Sequence, residues 1–91
     1  MKPSEVQFAK NLEALKSPQC RRIVAALNSG ALTISELSQN CNLTQGSIEK
    51  HIEILNIAEL LHSEEANDET KYSLNLSTFL ETLDWFKDLG K

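Results

Sequence analysis

Two helix-start signals placed close together constrain this chain more than any other feature of its sequence. Thr33-Ile34-Ser35-Glu36 is a capping box, in which a hydroxyl and a carboxylate satisfy backbone N–H groups of a first helical turn. The segment Cys41-Asn42-Leu43 follows, and Thr44 then caps a second helix. Two helices joined by so short a turn predict a helix-turn-helix over residues 33–56, whose second helix can enter a DNA major groove. The buried face of that helix is predicted by apolar residues at spacings of four and three: Ile48, Ile52 and Leu55.

The pattern changes from helix to strand at residue 60. Two short apolar and β-prone runs, residues 60–63 and 70–74, flank an acidic stretch. Asn67-Asp68 lies in that stretch and suits a tight turn, because short polar side chains tolerate unusual backbone angles. The sequence therefore predicts a β-hairpin over residues 60–74, which is a wing directly after a helix-turn-helix.

Three further helices are predicted around this unit. Ser4-Glu5-Val6-Gln7 is a capping-box start, and Ser17-Pro18 places a cap and an N1 proline at the start of a second helix, which Gly30 ends. Ser77 or Thr78 caps a last helix over residues 77–89. The predicted fold class is mainly α with a small β-hairpin (α+β): a winged helix-turn-helix of about five helices and a two-stranded wing, forming a single domain over residues 1–91.

The composition is that of one small globular domain. The chain has 91 residues, of which 41% are hydrophobic and 24% charged, so it is too short for two cores and too apolar for disorder. No run of about 18 apolar residues predicts a membrane span, and the polar, acidic start does not resemble a secretory signal. With two cysteines only, reduced thiols and a cytoplasmic location are expected.

The stretch from Thr44 to Leu61 resembles the winged helix-turn-helix repressors of the arsenical-resistance (ArsR) type. Glu36-Leu37 in the preceding helix, and Pro18 and Ile23 in the second helix, also match that family. The resemblance covers nearly the whole chain and implies a transcriptional regulator, a repressor in most such proteins, that binds double-stranded DNA as a homodimer. The positions that fit the family pattern within the stretch are Gln45, His51, Leu55, Ala58 and Leu60.

Several departures from the family pattern concern charge. Glu49 replaces a serine that faces DNA in the family, and Glu59 replaces the glycine before the wing. The net charge is −4, and residues 51–91 carry nine acidic against three basic side chains. Carboxylates near phosphates repel DNA. The alternative hypothesis is therefore an acidic winged-helix module that has lost DNA binding and mediates protein–protein interaction.

On a recognition helix the N-terminal residues reach the base edges. Gln45 can pair with adenine, Glu49 can accept from the cytosine amino group, and Lys50 can contact guanine or a phosphate. Thr44 and Ser47 can contact phosphate or their own first helical turn. An ordinary solvated helix face is the competing interpretation. The candidate DNA-binding residues are Thr44, Gln45, Ser47, Glu49 and Lys50, with Arg21 and Arg22 as phosphate clamps.

The last predicted helix is apolar around most of its circumference, so it needs cover from more than one side. In a chain this small a second subunit is the expected cover, although packing within one domain is the alternative. The candidate dimerisation residues are Phe8, Leu12, Phe79, Leu83, Trp85 and Phe86.

No metal site, cofactor or enzymatic activity is expected. The chain has no Gly-rich phosphate loop, catalytic triad pattern or zinc motif, and the acidic face of the last helix is expected to be solvated. His51 is expected at the edge of the core, bonded to a backbone carbonyl, rather than on phosphate or a metal. Cys20 is expected to be a small buried side chain, and a redox role through a lowered pKa, favoured by the neighbouring arginines, is the alternative. Nothing in the sequence indicates an effector.

Overall fold

The computed structural model describes residues 5–89, which form five helices and one β-hairpin. This confirms the predicted winged helix-turn-helix, mainly α with a two-stranded wing. The cap predicted at Ser4 lies outside the described residues. The elements are α1 (Glu5–Lys16), α2 (Pro18–Leu27), α3 (Ile34–Cys41), α4 (Gln45–Ile57), β1 (Leu61–Ala66), β2 (Glu69–Leu74) and α5 (Leu76–Leu89).

The helix-turn-helix begins and turns where its local signals predict. Thr33 and Glu36 form the complete capping box of α3, and the Thr44 hydroxyl accepts from the Ser47 backbone N–H at the start of α4. Between them, Asn42 ends α3 in the left-handed conformation with φ 54°. Asparagine enters that region more readily than most residues because its short side chain bonds locally.

The last helix begins earlier than predicted. Its cap is Asn75, whose side-chain oxygen accepts from the Thr78 N–H at 3.4 Å and whose carbonyl accepts from the Phe79 N–H at 3.3 Å. The prediction of Ser77 or Thr78 as the cap was therefore wrong. Asn75 follows β2 directly, so the chain passes from strand to helix without a loop.

The wing is an antiparallel hairpin closed by two residues. Asn67 (φ 53°) and Asp68 (φ 64°) both adopt positive φ, which is the geometry of a type I′ turn and suits the twist of the two strands. A bridge between Leu32 and Tyr72 ties β2 to the segment before α3, with backbone N to O distances of 3.0 and 2.8 Å. The wing is thus fixed to the helix-turn-helix.

The core lies between α1, α2, α3, α4 and the start of the wing. Its side chains come from every one of these elements, and burying each stabilises the fold by about 1.5–3 kcal/mol. None of the helices described is long and apolar enough to cross a membrane. The largest fully buried apolar side chains are Ile23, Leu37, Ile48, Leu55 and Leu60.

Candidate nucleic-acid interface

Helix α4 is divided lengthwise into a buried and an exposed face. Its apolar residues at 48, 52 and 55 lie in the core, at most 3% exposed. The predicted reading residues Thr44, Gln45, Glu49 and Lys50, which together form the reading row, are all exposed to solvent. The prediction that Gln45 and Lys50 face outward from a helix is confirmed. A row of this kind has the shape that base-edge contact requires.

The first turn of this exposed row is held in place by hydrogen bonds. Thr44 caps its own helix, with its Oγ1 3.1 Å from the Ser47 N. The Gln45 Nε2 donates to the Ser35 Oγ at 3.2 Å, which joins the first turns of α3 and α4. A carboxamide has two N–H donors and one carbonyl acceptor, so Gln45 keeps one N–H and its oxygen for a further partner.

His51 and Ser47 lie at the edge of this face, both half-buried. The His51 Nδ1 is 2.7 Å from the Ser47 carbonyl oxygen and 3.5 Å from its hydroxyl. Because a carbonyl oxygen only accepts, the short contact requires a proton on Nδ1. The prediction that His51 bonds a backbone carbonyl at the edge of the core is confirmed.

Arg21 and Arg22 are both exposed, but they have different neighbours. The Arg21 Nη1 donates to the carbonyl oxygens of Leu15 and Lys16 at 2.8 and 2.9 Å, which satisfies the C-terminal end of α1. Arg22 lines a surface cleft beside Asn40 and Cys41. Of the two predicted phosphate clamps, Arg21 is bonded to backbone carbonyl oxygens, so Arg22 is the better candidate for a phosphate contact.

The two cysteines are buried free thiols. Burial raises the pKa of the Cys20 thiol, and a hydrogen bond from Ser17 opposes this only partly. Burial likewise raises the pKa of Cys41, against a smaller effect of the Arg22 charge. Burial and the raised pKa favour the predicted small buried Cys20 over the alternative of a reactive, low-pKa thiol.

The electrostatic surroundings of the reading row are mixed. Glu49 and Lys50 are neighbours on α4, and the wing exposes an acidic cluster made of Glu64, Glu65, Asp68 and Glu69. Lys71 lies opposite Glu64 in the hairpin and offsets one of these charges. Within the part of the chain that the structure describes, no three His, Cys, Asp or Glu side chains are grouped so that they could hold a metal ion.

The predicted dimerisation residues are distributed over different environments. Phe8 is buried within the chain, Leu12 and Phe79 are half-buried, and Leu83 is 54% exposed. The side chains of Trp85 and Phe86 lie outside the described residues. Alongside Leu83, the structure exposes apolar side chains that the prediction omitted, namely Leu76 and Leu80 on the same face of α5, Val6 on α1 and Ile57 at the end of α4.

Four polar residues near these helices were missed by sequence reasoning. Ser35 and Asn75 bond outside their own helical turns, which sequence spacing does not reveal. Asn11 and Thr82 are buried, at 0% and 4% exposure. One signal was available for Asn11, since it lies three residues after Phe8, within the apolar stripe of α1.

This chain is similar in sequence to known bacterial regulatory proteins. The family model for bacterial regulatory proteins of the arsR family matches residues 17–63. The transcriptional repressor SdpR of Bacillus subtilis (strain 168) is 27% identical over 73 residues, covering 80% of this chain and 81% of SdpR.

Solved structures share the fold at lower identity. An ArsR-like transcriptional regulator from Rhodococcus sp. RHA1 has a TM-score of 0.88 at 20% identity and covers 93% of this chain and 80% of its own. A homodimeric winged helix-turn-helix DNA-binding domain from Mycobacterium bovis has a TM-score of 0.76 at 14% identity, covering 90% and 78%. At such identities the likeness concerns the fold alone.

Proposed function

Because this chain belongs to the arsR family of bacterial regulatory proteins, we propose that it is a transcriptional regulator that binds a double-stranded DNA operator sequence-specifically. It binds as a homodimer, reads base edges with α4 and acts as a repressor by occupying the operator. A cytoplasmic location, where the operator lies, is part of this proposal.

The observation that carries the proposal is the exposed row on α4. Gln45, Glu49 and Lys50 offer an amide, a carboxylate and an ammonium group, which between them can bond adenine, cytosine and guanine edges. The row is backed by a fixed core and its first turn is capped, so the helix presents these groups without reordering. Arg22 is exposed and Ser47 is half-buried, and both side chains carry groups that can contact phosphates.

The dimer and the repressor role have separate support. Leu76, Leu80 and Leu83 recur on one face of α5 and are all more than half exposed, which is unusual for a lone domain. The M. bovis domain of the same fold is homodimeric. SdpR, which is 27% identical to this chain over 73 residues, is a transcriptional repressor. Two copies would present two reading helices to a pseudo-palindromic site.

A direct test begins with selecting duplexes that the wild-type protein retains from a random-sequence DNA pool. The affinity for a selected duplex is then measured at two salt concentrations for the wild type, Lys50→Ala and Gln45→Ala. We expect each substitution to weaken binding by about 1–3 kcal/mol, with thermal stability nearly unchanged because both side chains are exposed. Gln45→Ala should relax the preference at one base position, and Lys50→Ala should act on guanine recognition or on the salt slope.

Lys10→Ala is the matched control, because it removes the same charge from an exposed position on α1. If it weakens binding as much as Lys50→Ala, α4 is not the reading helix.

The acidic wing favours the second candidate, a protein-interaction module. That function would be indicated if the wild type shows no salt-sensitive duplex binding at about 100 mM salt, where phosphate contacts give a steep dependence.

A further inference from the structure

A group of polar side chains is buried where α1, α5 and the end of α4 meet. Asn11 is 0% exposed, Thr82 4% and Thr78 8%. Burying a polar side chain at such positions costs more free energy than burying an apolar one. No buried side-chain nitrogen or oxygen lacks a partner among the residues described. A fully satisfied polar cluster of this kind restrains geometry, because hydrogen bonds are directional while apolar contacts are not.

The hydrogen bonds form a continuous chain from α4 through α1 to α5. The Gln7 Nε2 donates to the Ala58 carbonyl oxygen at 2.8 Å and to the Asn11 Oδ1 at 2.9 Å. The Asn11 Nδ2 donates to the Thr82 Oγ1 at 2.8 Å, and that hydroxyl donates to the Thr78 carbonyl oxygen at 2.8 Å. With its carboxamide turned over, the Asn11 oxygen accepts from the Thr82 hydroxyl at 2.8 Å, in place of the bond from that hydroxyl to Thr78, and the Asn11 nitrogen donates to the Ala58 oxygen at 2.6 Å. In both orientations the same three helices are joined.

The chain of bonds ends on the residue that closes the reading helix. Ala58 is the C-cap of α4, and β1 of the wing begins three residues later, at Leu61. From the α5 side, the Asn75 Nδ2 donates to the carbonyl oxygen of the next residue, Glu59, at 2.9 Å. The end of α4 is therefore held from two directions, by α1 and by the cap of α5.

We infer that Gln7, Asn11 and Thr82 are positioning residues for DNA recognition: they fix the orientation of α4 relative to α1 and α5. Since α5 carries the proposed dimer face, this orientation sets the distance between the two reading helices of the dimer. It thereby sets the half-site spacing that the dimer accepts. The inference rests on the proposed function and adds to it the groups that determine the spacing.

The test uses variants that replace the polar groups by apolar groups of similar shape. Removing both partners together avoids leaving one buried and unsatisfied, so Asn11→Leu/Thr82→Val is expected to fold. Gln7→Met is a second variant at a half-buried position and removes the bonds to Ala58 and Asn11. Thr82→Ser retains the hydroxyl and is the conservative control.

The first measurement needs no DNA. A spin label is attached to Glu53→Cys on the exposed face of α4, and the distance between the two labels of the dimer is measured by pulsed electron resonance. Cys20 and Cys41 are buried with raised pKa values, so the introduced thiol is labelled preferentially. We expect a narrow distance distribution for the wild type and Thr82→Ser, and a broader or shifted one for the double variant and Gln7→Met.

Unchanged distributions in both variants would overturn the inference and leave the proposed function standing. A wild type that gives no dipolar signal, being monomeric, would overturn both the dimer and the inference.

The second measurement compares duplexes that carry the two selected half-sites at different separations. The wild type and Thr82→Ser should prefer one separation by about tenfold over its neighbours, and the double variant should discriminate by less than about threefold. A merely structural role would weaken binding to every duplex equally and keep the preference, which would overturn the inference. A wild type that binds no duplex would contradict the proposed function instead, and the distance measurement would still decide how α4 is positioned.

Discussion

Arg21 and Arg22 are adjacent and chemically identical, yet their surroundings differ. Arg21 donates to two carbonyl oxygens at the end of α1, where helical carbonyls have no partner within the helix. The positive charge also lies at the negative end of the α1 dipole. Arg22 extends instead over the cleft beside Cys41. Arg21 therefore links the end of α1 to α2.

The first prediction separates these two roles. Arg21→Ala should lower the free energy of unfolding by about 1 kcal/mol, a modest value because the side chain is exposed and its bonds compete with water. Arg22→Ala should change it by less than about 0.5 kcal/mol and weaken duplex binding instead. Urea unfolding and DNA titration of both variants check this. Equal losses of stability in the two variants would show that the Arg21 hydrogen bonds to α1 add nothing to the free energy of unfolding beyond what Arg22 contributes.

Residues whose partners are close in sequence were predictable, and residues whose partners are distant were not. Thr33, Thr44 and His51 bond groups three or four residues away, so their roles follow from spacing. Gln7 and Asn11 bond groups 51 and 71 residues away. A polar residue on an amphipathic helix appears solvated until the element that covers it is known.

At the scale of elements, the junction between α4 and the wing is a Schellman motif. The Leu60 N–H donates to the Leu55 carbonyl and the Glu59 N–H to the Asn56 carbonyl, at 3.0 and 2.9 Å. Leu55 and Leu60 are both fully buried, which supplies the apolar contact that accompanies this motif. Glu59 occupies its left-handed position with φ 59°, where glycine is usual. The family glycine that Glu59 replaces is thus explained by backbone geometry.

The second prediction concerns this strained position. Glu59→Gly should raise the free energy of unfolding by about 0.5–1 kcal/mol, because glycine has no side chain to oppose a positive φ. Glu59→Ala is the matched control: it removes the same carboxylate but keeps a Cβ, so it should not stabilise the protein. Chemical unfolding of both variants distinguishes backbone strain from charge. If alanine stabilises as much as glycine, charge is the cause.

The element starts were largely predictable because capping residues act locally. The helix-turn-helix and the Asn67-Asp68 turn follow from side chains that satisfy nearby backbone groups or tolerate positive φ. The start of α5 was misplaced by choosing a hydroxyl cap over Asn75. Asn75 is fixed there because its N–H donates to the Leu60 carbonyl oxygen at 2.8 Å, a contact between distant segments that the local pattern does not contain.

At the scale of the whole molecule, charge and assembly are connected. The chain carries a net charge of −4, so a single copy has little long-range attraction for DNA. If the chain binds DNA as proposed, affinity must come from close contacts by the reading row, and the proposed dimer doubles those contacts at a fixed separation. The sequence shows that α5 is apolar, but it does not show which of its residues remain exposed in the folded chain. The structure identifies Leu76, Leu80 and Leu83.

The third prediction therefore joins assembly to DNA binding. Leu80 is 63% exposed in one copy, so Leu80→Lys should leave the fold intact while placing a charge in the proposed dimer face, where burying it is costly. Light scattering over a range of concentrations should show monomers. Ser77→Lys adds the same charge at an exposed position on the same helix and should remain dimeric.

Both substitutions add one positive charge, which by itself favours DNA. Weaker duplex binding by Leu80→Lys, alongside unchanged or tighter binding by Ser77→Lys, would therefore reflect the lost dimer and could not be an effect of charge. A dimeric Leu80→Lys would place the interface elsewhere than on this face of α5. A monomer that binds duplex as tightly as the wild type would show that one reading helix suffices, and the half-site pairing would have to be abandoned.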